Sequence, residues 1–336
     1  MNVITSLIYN YTTMKITFHV EIVNKPFEDP VLFVKGIHLK KAMLFDLGSI
    51  ESLDVTKIND ITEIFVTHMH IDHFIGFDTA LRILLKRDIP LSIFGPEGII
   101  NCIEGKLKGY TWNLIKFYPL IIKVFEISKD LIMEVHFKAS EEFKRYDFPK
   151  RKFVNPIFNG DGYNVSALIL SHQIPVIAYC LEEDLHININ KALLTQMALP
   201  VGPWLSDLKK AIRNEESDDY NFTIDNKNYK LAELRDLVMI SKGQKICYVM
   251  DTSPTEENFN KLKPFIKDAE ILFCEAFFSD DERERAIYRN HLTAKMAGKL
   301  AREAGVKSLK VMHFSQKYKS NPDLLIEEAN REFKMG

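Results

Sequence analysis

Short apolar runs set the pattern of the chain. Residues Ile16 to Val23, Val31 to Val34, Ala42 to Phe45 and Ile61 to Val66 have strand length and composition, and the third ends in Asp46-Leu47-Gly48. Residues Ile75 to Lys86 place Phe77, Leu81, Leu84 and Leu85 on one helical face. After a turn at Asp88-Ile89-Pro90, Leu91 to Pro96 reads as a strand closed by a breaker, and Gly98 to Lys108 as a short helix. Residues 119–138 alternate as a hairpin, and Asn164 to Leu170 and Val176 to Leu181 are further strands. From Asn190 to about Tyr229 the character changes to charged stretches around a Gly-Pro pair. Strand patterns then resume at Lys245 to Met250, Ile271 to Glu275 and Lys310 to His313. For this order the economical packing is two sheets with helices outside, an α+β fold.

Composition narrows the classes. With 336 residues, 46% apolar and 27% charged, the chain can bury one large domain with an insertion or two modest domains. A net charge of −2 excludes a generally basic nucleic-acid binder, so any polyanion site must be a local patch. No apolar run approaches the length of a membrane span, and MNVITSLIYNYTT lacks the basic start and cleavage site of a secretory signal; Met14 is an alternative start. Cys102, Cys180, Cys247 and Cys274 are far apart with no C-x-x-C pair, which predicts buried thiols in a reducing compartment and a cytoplasmic protein.

The chemistry gathers at Thr67-His68-Met69-His70-Ile71-Asp72-His73. Histidines at i and i+2 project to one side of an extended segment and can meet at one cation, while the Asp-His pair that follows can serve a second cation nearby. Nitrogen and carboxylate donors without thiolates suit zinc, with manganese or iron as alternatives. The absence of cysteine predicts an open catalytic site over a closed structural one. Three more metal-competent side chains stand at strand ends, where the backbone is rigid: His172, Asp251 and His313.

This H-x-H-x-D-H cluster, followed in order by a histidine, an aspartate and a histidine, resembles the metallo-β-lactamase superfamily. That resemblance implies an αββα sandwich spanning most of the chain as a single domain. It also implies two Zn2+ per chain: His68, His70 and His172 on one ion, Asp72, His73 and His313 on the other, and Asp251 bridging. Glu275, the Arg289-Asn290-His291-Leu292-Thr293-Ala294 run, the ending His313-Phe314-Ser315-Gln316-Lys317-Tyr318 and Leu199-Pro200-Val201-Gly202-Pro203-Trp204-Leu205 are similar to the ribonuclease Z branch, the zinc phosphodiesterases that trim transfer-RNA 3′ ends. The chain departs from that branch after its early strand, where Asp46-Leu47-Gly48-Ser49-Ile50-Glu51-Ser52 keeps only the aspartate and first glycine of the family run.

The resemblance implies precursor tRNA as partner, a homodimer, and residues 184–240 as a substrate-gripping arm that contacts little core, with Gly202 and Pro203 at its turn. In that reading a bridging hydroxide attacks the phosphodiester, Asp72 accepts its proton, His291 is the general acid oriented by Glu275, and Thr293, Ser315 and Tyr318 hydrogen-bond phosphate oxygens. Two basic patches are candidate RNA contacts: Lys209, Lys210 and Arg213, diluted by Asp207, Glu215, Glu216, Asp218 and Asp219, and Lys144-Arg145 with Lys150-Arg151-Lys152 among Phe143, Tyr146 and Phe148. The competing expectation is a hydrolase of a small ester, such as a cyclic nucleotide, aryl sulfate or lactone, on the same metals.

Overall fold

The structure, a computed structural model, describes residues 18–37, 39–184 and 186–335. Met14 and the first two residues of the predicted opening strand lie outside them. The described residues divide into two compact units, one within residues 18–182 and 245–335, the other within residues 183–244.

In the larger unit the first sheet runs in the order β1 (Phe18–Ile22), β2 (Leu32–Gly36), β3 (Ala42–Phe45), β4 (Ile61–Phe65), β5 (Leu91–Pro96), β6 (Ile121–Ile127), β7 (Leu131–Lys138) and β8 (Lys144–Asp147), with the short β9 (Arg151–Lys152) also pairing β7. Strands β3 to β6 are parallel, so their C-terminal ends share one edge. The second sheet orders β10 (Phe158–Asn159), β11 (Tyr163–His172), β12 (Ile174–Glu183), and the strands Lys245–Val249, Ile271–Glu275 and Leu309–Met312, the last three parallel.

The period-2 alternation along these strands sorts their side chains into layers. Phe33, Leu44, Ile64 and Ile93 point to one side and pack with Phe77, Leu81 and Leu84 of the helix Phe77–Leu84. Val34, Met43, Phe45, Phe65 and Phe94 point to the other and meet Ile177, Tyr179, Ile246, Tyr248 and Met250 of the second sheet. Behind that sheet, Cys247, Leu272 and Cys274 pack with Ala297 and Leu300 of the helix Ala294–Glu303 and Leu325 and Ala329 of the helix Asp323–Phe333. Helix, sheet, sheet, helix is the expected sandwich. A ladder of stacked rings, Phe45 on Phe65 on Phe94 on Phe125 at 5.2, 5.0 and 4.5 Å, crosses four strands on the inner face.

The cysteines correct one expectation. Cys180 and Cys247 stand directly opposite on antiparallel strands with Cα atoms 4.2 Å apart, and their sulfurs are bonded. Cys102 is exposed, which leaves Cys274 as the buried thiol. Cross-strand register created the pairing between residues 67 positions apart, and no spacing rule on the sequence reports it.

The smaller unit has a core of its own. Leu194, Leu199, Leu208, Phe222, Leu231, Leu234 and Leu237 are buried together. Asn190 caps the helix Lys191–Gln196, and a hairpin joins Asn221–Ile224 to Lys227–Lys230. Its acids are partly neutralised from within: Asp218 meets Arg235 at 2.6 Å and Asp219 meets Lys230 at 2.8 Å. Gly202 and Pro203 form the turn before the helix Trp204–Arg213, where the Trp204 indole N–H donates to the Pro200 carbonyl at 2.9 Å and Val201 is exposed.

Candidate metal centre

The apolar strand β4 delivers Thr67 and His68, and a one-turn helix Ile71–His73 swings Asp72 and His73 back beneath them. This segment is fastened to the Asp46-Leu47-Gly48 turn: Leu47 N–H donates to the His73 carbonyl and Gly76 N–H to the Leu47 carbonyl, both at 2.9 Å. The fit is close enough to require glycine, since a Cβ on Gly76 would sit 2.1 Å from the Gly48 carbonyl oxygen.

Asp46 is fully buried and takes four bonds. Thr67 N–H donates to it at 2.7 Å, the Thr67 hydroxyl at 3.0 Å, His73 Nδ1–H at 2.8 Å and the Tyr248 hydroxyl at 3.1 Å. The one carboxylate retained from the family run therefore orients His73 and Thr67, a role sequence reasoning did not assign.

The remaining donors arrive on the second sheet. His172 closes β11, Asp251 follows the strand Lys245–Val249, and His313 follows Leu309–Met312. Asp251 and His313 hold φ of 42° and 57°, and Gln173 holds 59°, in the left-handed region that L-residues seldom occupy. Such outliers persist where the surroundings over-determine them, and here they turn side chains onto one rim.

Asp251 lies among four of the candidate histidines. Its Oδ2 is 3.3 Å from His68 Nε2, 3.4 Å from His73 Nε2 and 3.9 Å from His172 Nε2, while its Oδ1 is 2.9 Å from His313 Nδ1. The ligand-competent atoms fall into three groups: His68, His70 and Asp251; Asp72, His73 and His313; and Asp251, Glu275, His291 and His313, with His172 standing just outside them. Facing nitrogens of His68 and His70 are 2.8 Å apart, and Asp72 Oδ2 is 3.1 Å from His313 Nε2 and 3.5 Å from His73 Nε2.

Three histidines have their tautomer set by a partner at Nδ1. His172 Nδ1–H donates to the Asn290 carbonyl at 2.8 Å, and His73 Nδ1–H to Asp46. The Thr67 hydroxyl spends its proton on Asp46, so at 3.0 Å it accepts from His68 Nδ1–H. Each ring thus presents Nε2 toward Asp251, the nitrogen a cation would take once it is free of a proton. Among the buried polar atoms without a hydrogen bond are His73 Nε2, Asp251 Oδ1 and His313 Nδ1. Orphaned donors converging on a shared carboxylate fit two divalent cations.

The electrostatics agree. Burial lowers the His68 pKa to about 4, aided by the charge on His73, and burial also lowers that of His70. Burial opposes charge on His73 and His313 too, yet Asp46 and Asp251 carry His73 well above the ordinary value, and Asp251 and Asp72 carry His313 to about 10. Burial likewise works against ionised Asp72 and Asp251, but the charges of His313 and His73 hold both below the usual carboxylate range. Protons on His73 and His313 stand where positive charge is demanded.

Beside the donors, Glu275 ends the strand Ile271–Glu275, fully buried. It accepts His291 Nδ1–H at 2.8 Å on one oxygen and Thr252 N–H at 2.5 Å on the other. Phe277 stacks on the His291 ring at 4.1 Å and 12°. The Glu275 charge and hydrogen bond outweigh burial and raise the His291 pKa. A cavity of about 540 Å3 opens over the donors, lined by His70, Asp72, His172, Asp251, His291 and His313 together with Gln173, Ile174, Phe277, Tyr288, Arg289 and Asn290.

Three expected phosphate contacts are not on that wall. Thr293 is buried, caps the helix Ala294–Glu303 by accepting from Met296 N–H, and donates to Asp280 at 2.9 Å. The Tyr318 hydroxyl accepts Ser279 N–H at 3.2 Å and donates to Glu282. Ser315 starts the one-turn helix Gln316–Tyr318. Hydroxyls at helix starts serve as caps, and that local use prevailed at Thr293. Asn290 and Phe277 were missed; Asn290 holds φ 61° and its carbonyl fixes His172, which only the folded chain reveals. Of the second basic patch, Arg145 is consumed by Glu104 at 2.8 Å and Asp147 at 2.7 Å, while Lys150, Arg151 and Lys152 stay exposed.

No protein-family model matches the chain. It is 30% identical to the ribonuclease BN of Proteus mirabilis over 297 residues, 86% of this chain and 84% of that one. It is 26% identical to the ribonuclease Z of Deinococcus radiodurans over 305 residues, 89% and 90% of the two chains. Among solved structures, the short form of human tRNase Z superposes with a TM-score of 0.53 at 17% identity, covering 89% of this chain and 93% of that one, a likeness of fold. With the sandwich and the histidine-carboxylate donors already in place, a relative at 30% identity across most of both chains settles the matter: this chain belongs to the ribonuclease Z branch of the metallo-β-lactamase superfamily.

Proposed function

We propose that the chain is a metal-dependent endoribonuclease that processes the 3′ ends of precursor tRNA. The observation that carries the reading is the Glu275–His291 pair beside the Asp251-centred donors: a buried carboxylate holds a proton-bearing imidazole at the rim of a cation site. His68, His70, His172 and Asp251 would hold one Zn2+, and Asp72, His73, His313 and Asp251 the other. When bound, the two ions supply Lewis acidity, lowering the pKa of water and neutralising phosphate charge.

The chain's own residues do the rest. As water oxygen bonds to phosphorus, the bond from phosphorus to the leaving ribose oxygen breaks, and that oxygen takes the proton of His291. Glu275 keeps Nδ1–H engaged, so Nε2 is the nitrogen that serves the pocket. Asp72, on the cavity wall, takes the proton the water gives up. Residues 184–240 grip the RNA through the Gly202-Pro203 turn, with Lys209 and Arg213 free of ion pairs among the described residues. The same reading includes a homodimer and a cytoplasmic setting; among the described residues no helix is long and apolar enough to cross a membrane.

The test incubates zinc-loaded protein with a precursor tRNA bearing a 3′ trailer, and separately with a chromogenic phosphodiester. Endonucleolytic release of the trailer, abolished by deleting residues 190–230 while the small ester is still cleaved, is the expected result. Hydrolysis of the small ester alone, indifferent to that deletion, overturns it in favour of a small-ester hydrolase.

A further inference from the structure

We propose that Tyr288 and Arg289 form a nucleotide clamp on the rim of the catalytic cavity, Arg289 pairing with the phosphate beside the scissile one and Tyr288 stacking a base next to it. The inference rests on the RNA reading above and names the residues that would give it purchase.

The cavity wall is otherwise histidine, carboxylate, amide and apolar side chains, and Arg289 is the one lysine or arginine among its described lining residues. A dinuclear centre answers the charge of one phosphodiester. RNA presents another anion one nucleotide away, and Arg289 is the side chain on this wall with the charge and fork to meet it. Arg289 is exposed and makes no ion pair among the described residues, so its planar fork is free for a phosphate, whereas Arg283 and Arg285 of the same helix are paired with Asp280 and Glu282.

Tyr288 is 80% exposed, an unusual position for a large ring with no aromatic neighbour among the described residues. Its helix, Arg283–Arg289, buries Ala286 alone, so packing does not explain the ring. Nor is this helix end loose. Asn290 stops it at φ 61°, its carbonyl takes His172 Nδ1–H at 2.8 Å, and its side-chain oxygen takes the Ser253 hydroxyl at 3.0 Å. The two residues before Asn290 are thereby held in register with a metal donor and with the His291 acid that follows, the preorganisation a positioning group needs.

Stacking a base and pairing a phosphate are binding interactions with parts of RNA that a small ester lacks. Zinc-loaded Tyr288→Ala and Arg289→Ala proteins should each raise KM for precursor tRNA about tenfold, with kcat within about twofold and the chromogenic phosphodiester unaffected. Arg289→Ala should also flatten the dependence of log affinity on log salt by about 0.7, one single-strand phosphate, and Arg289→Lys should restore that slope while regaining part of the affinity. Fluorescence anisotropy with a labelled trailer RNA reads binding separately from turnover. An unchanged RNA affinity and salt slope in both variants overturns the clamp while leaving the RNA reading standing, as does an equal loss on both substrates. Failure of the unaltered protein to bind or cleave RNA overturns both.

Discussion

Glu275 Oε2 lies 2.8 Å from His291 Nδ1, and its other oxygen is tied to the Thr252 backbone one residue after Asp251. One buried carboxylate thus fixes the proposed acid and the loop carrying the shared metal donor. His291→Ala should reduce kcat by about 100- to 10,000-fold on RNA without loss of bound metal, read by single-turnover kinetics and by metal content. Loss of metal along with activity would make His291 a ligand instead.

Glu275 also sets where on the pH axis the acid works. Its charge raises the His291 pKa, and an acid is competent only while protonated, so activity falls as pH rises through that value. Glu275→Gln removes the charge while keeping the acceptor, leaving burial to push the pKa down. The alkaline limb of the pH–rate profile should move to lower pH. An unmoved limb would assign it to another group.

Metal loading should release protons. His313, raised to about 10, is protonated at neutral pH in the metal-free protein, and against its burial Asp46 and Asp251 shift His73 in the same direction. Cations must displace those protons, so affinity rises with pH from neutrality toward the His313 value. Titration calorimetry in buffers of differing ionisation enthalpy should report net proton release at pH 7. Zinc at about 100 times Kd should stabilise the fold by about 2.7 kcal/mol against urea.

Asp46 touches no proposed metal position, yet it orients His73 and Thr67 and meets the Tyr248 hydroxyl. Asp46→Ala should weaken metal affinity about 10- to 100-fold, measured by chelator competition. Unchanged affinity would show that packing alone holds His73.

Gly76→Ala tests the seam between the metal motif and the turn after β3. A methyl 2.1 Å from the Gly48 oxygen must displace backbone, which costs about 1–3 kcal/mol or more. Urea unfolding should show that loss, with metal affinity falling as Asp72 and His73 shift; a neutral substitution would mean the seam can open freely.

The period-2 strands were local facts, enough to mark most of the strands, because side-chain direction follows backbone periodicity; the H-x-H-x-D-H spacing, through the family it resembles, pointed to the sandwich and to the candidate donors. What brought Asp251 within 3.4 Å of His73, or Cys180 opposite Cys247, was strand order and register, set by burial of the two inner faces. Hydroxyls show the same divide: Thr293 and Tyr318 stand in the right motifs, but Asp280 and Glu282, brought near by the fold, claim them. The residues that orient the donors, Asp46, Asn290 and Phe277, carry no motif of their own. Their roles come from bonds and contacts made across the folded chain, and such pairings exist only once the sheets and helices have packed.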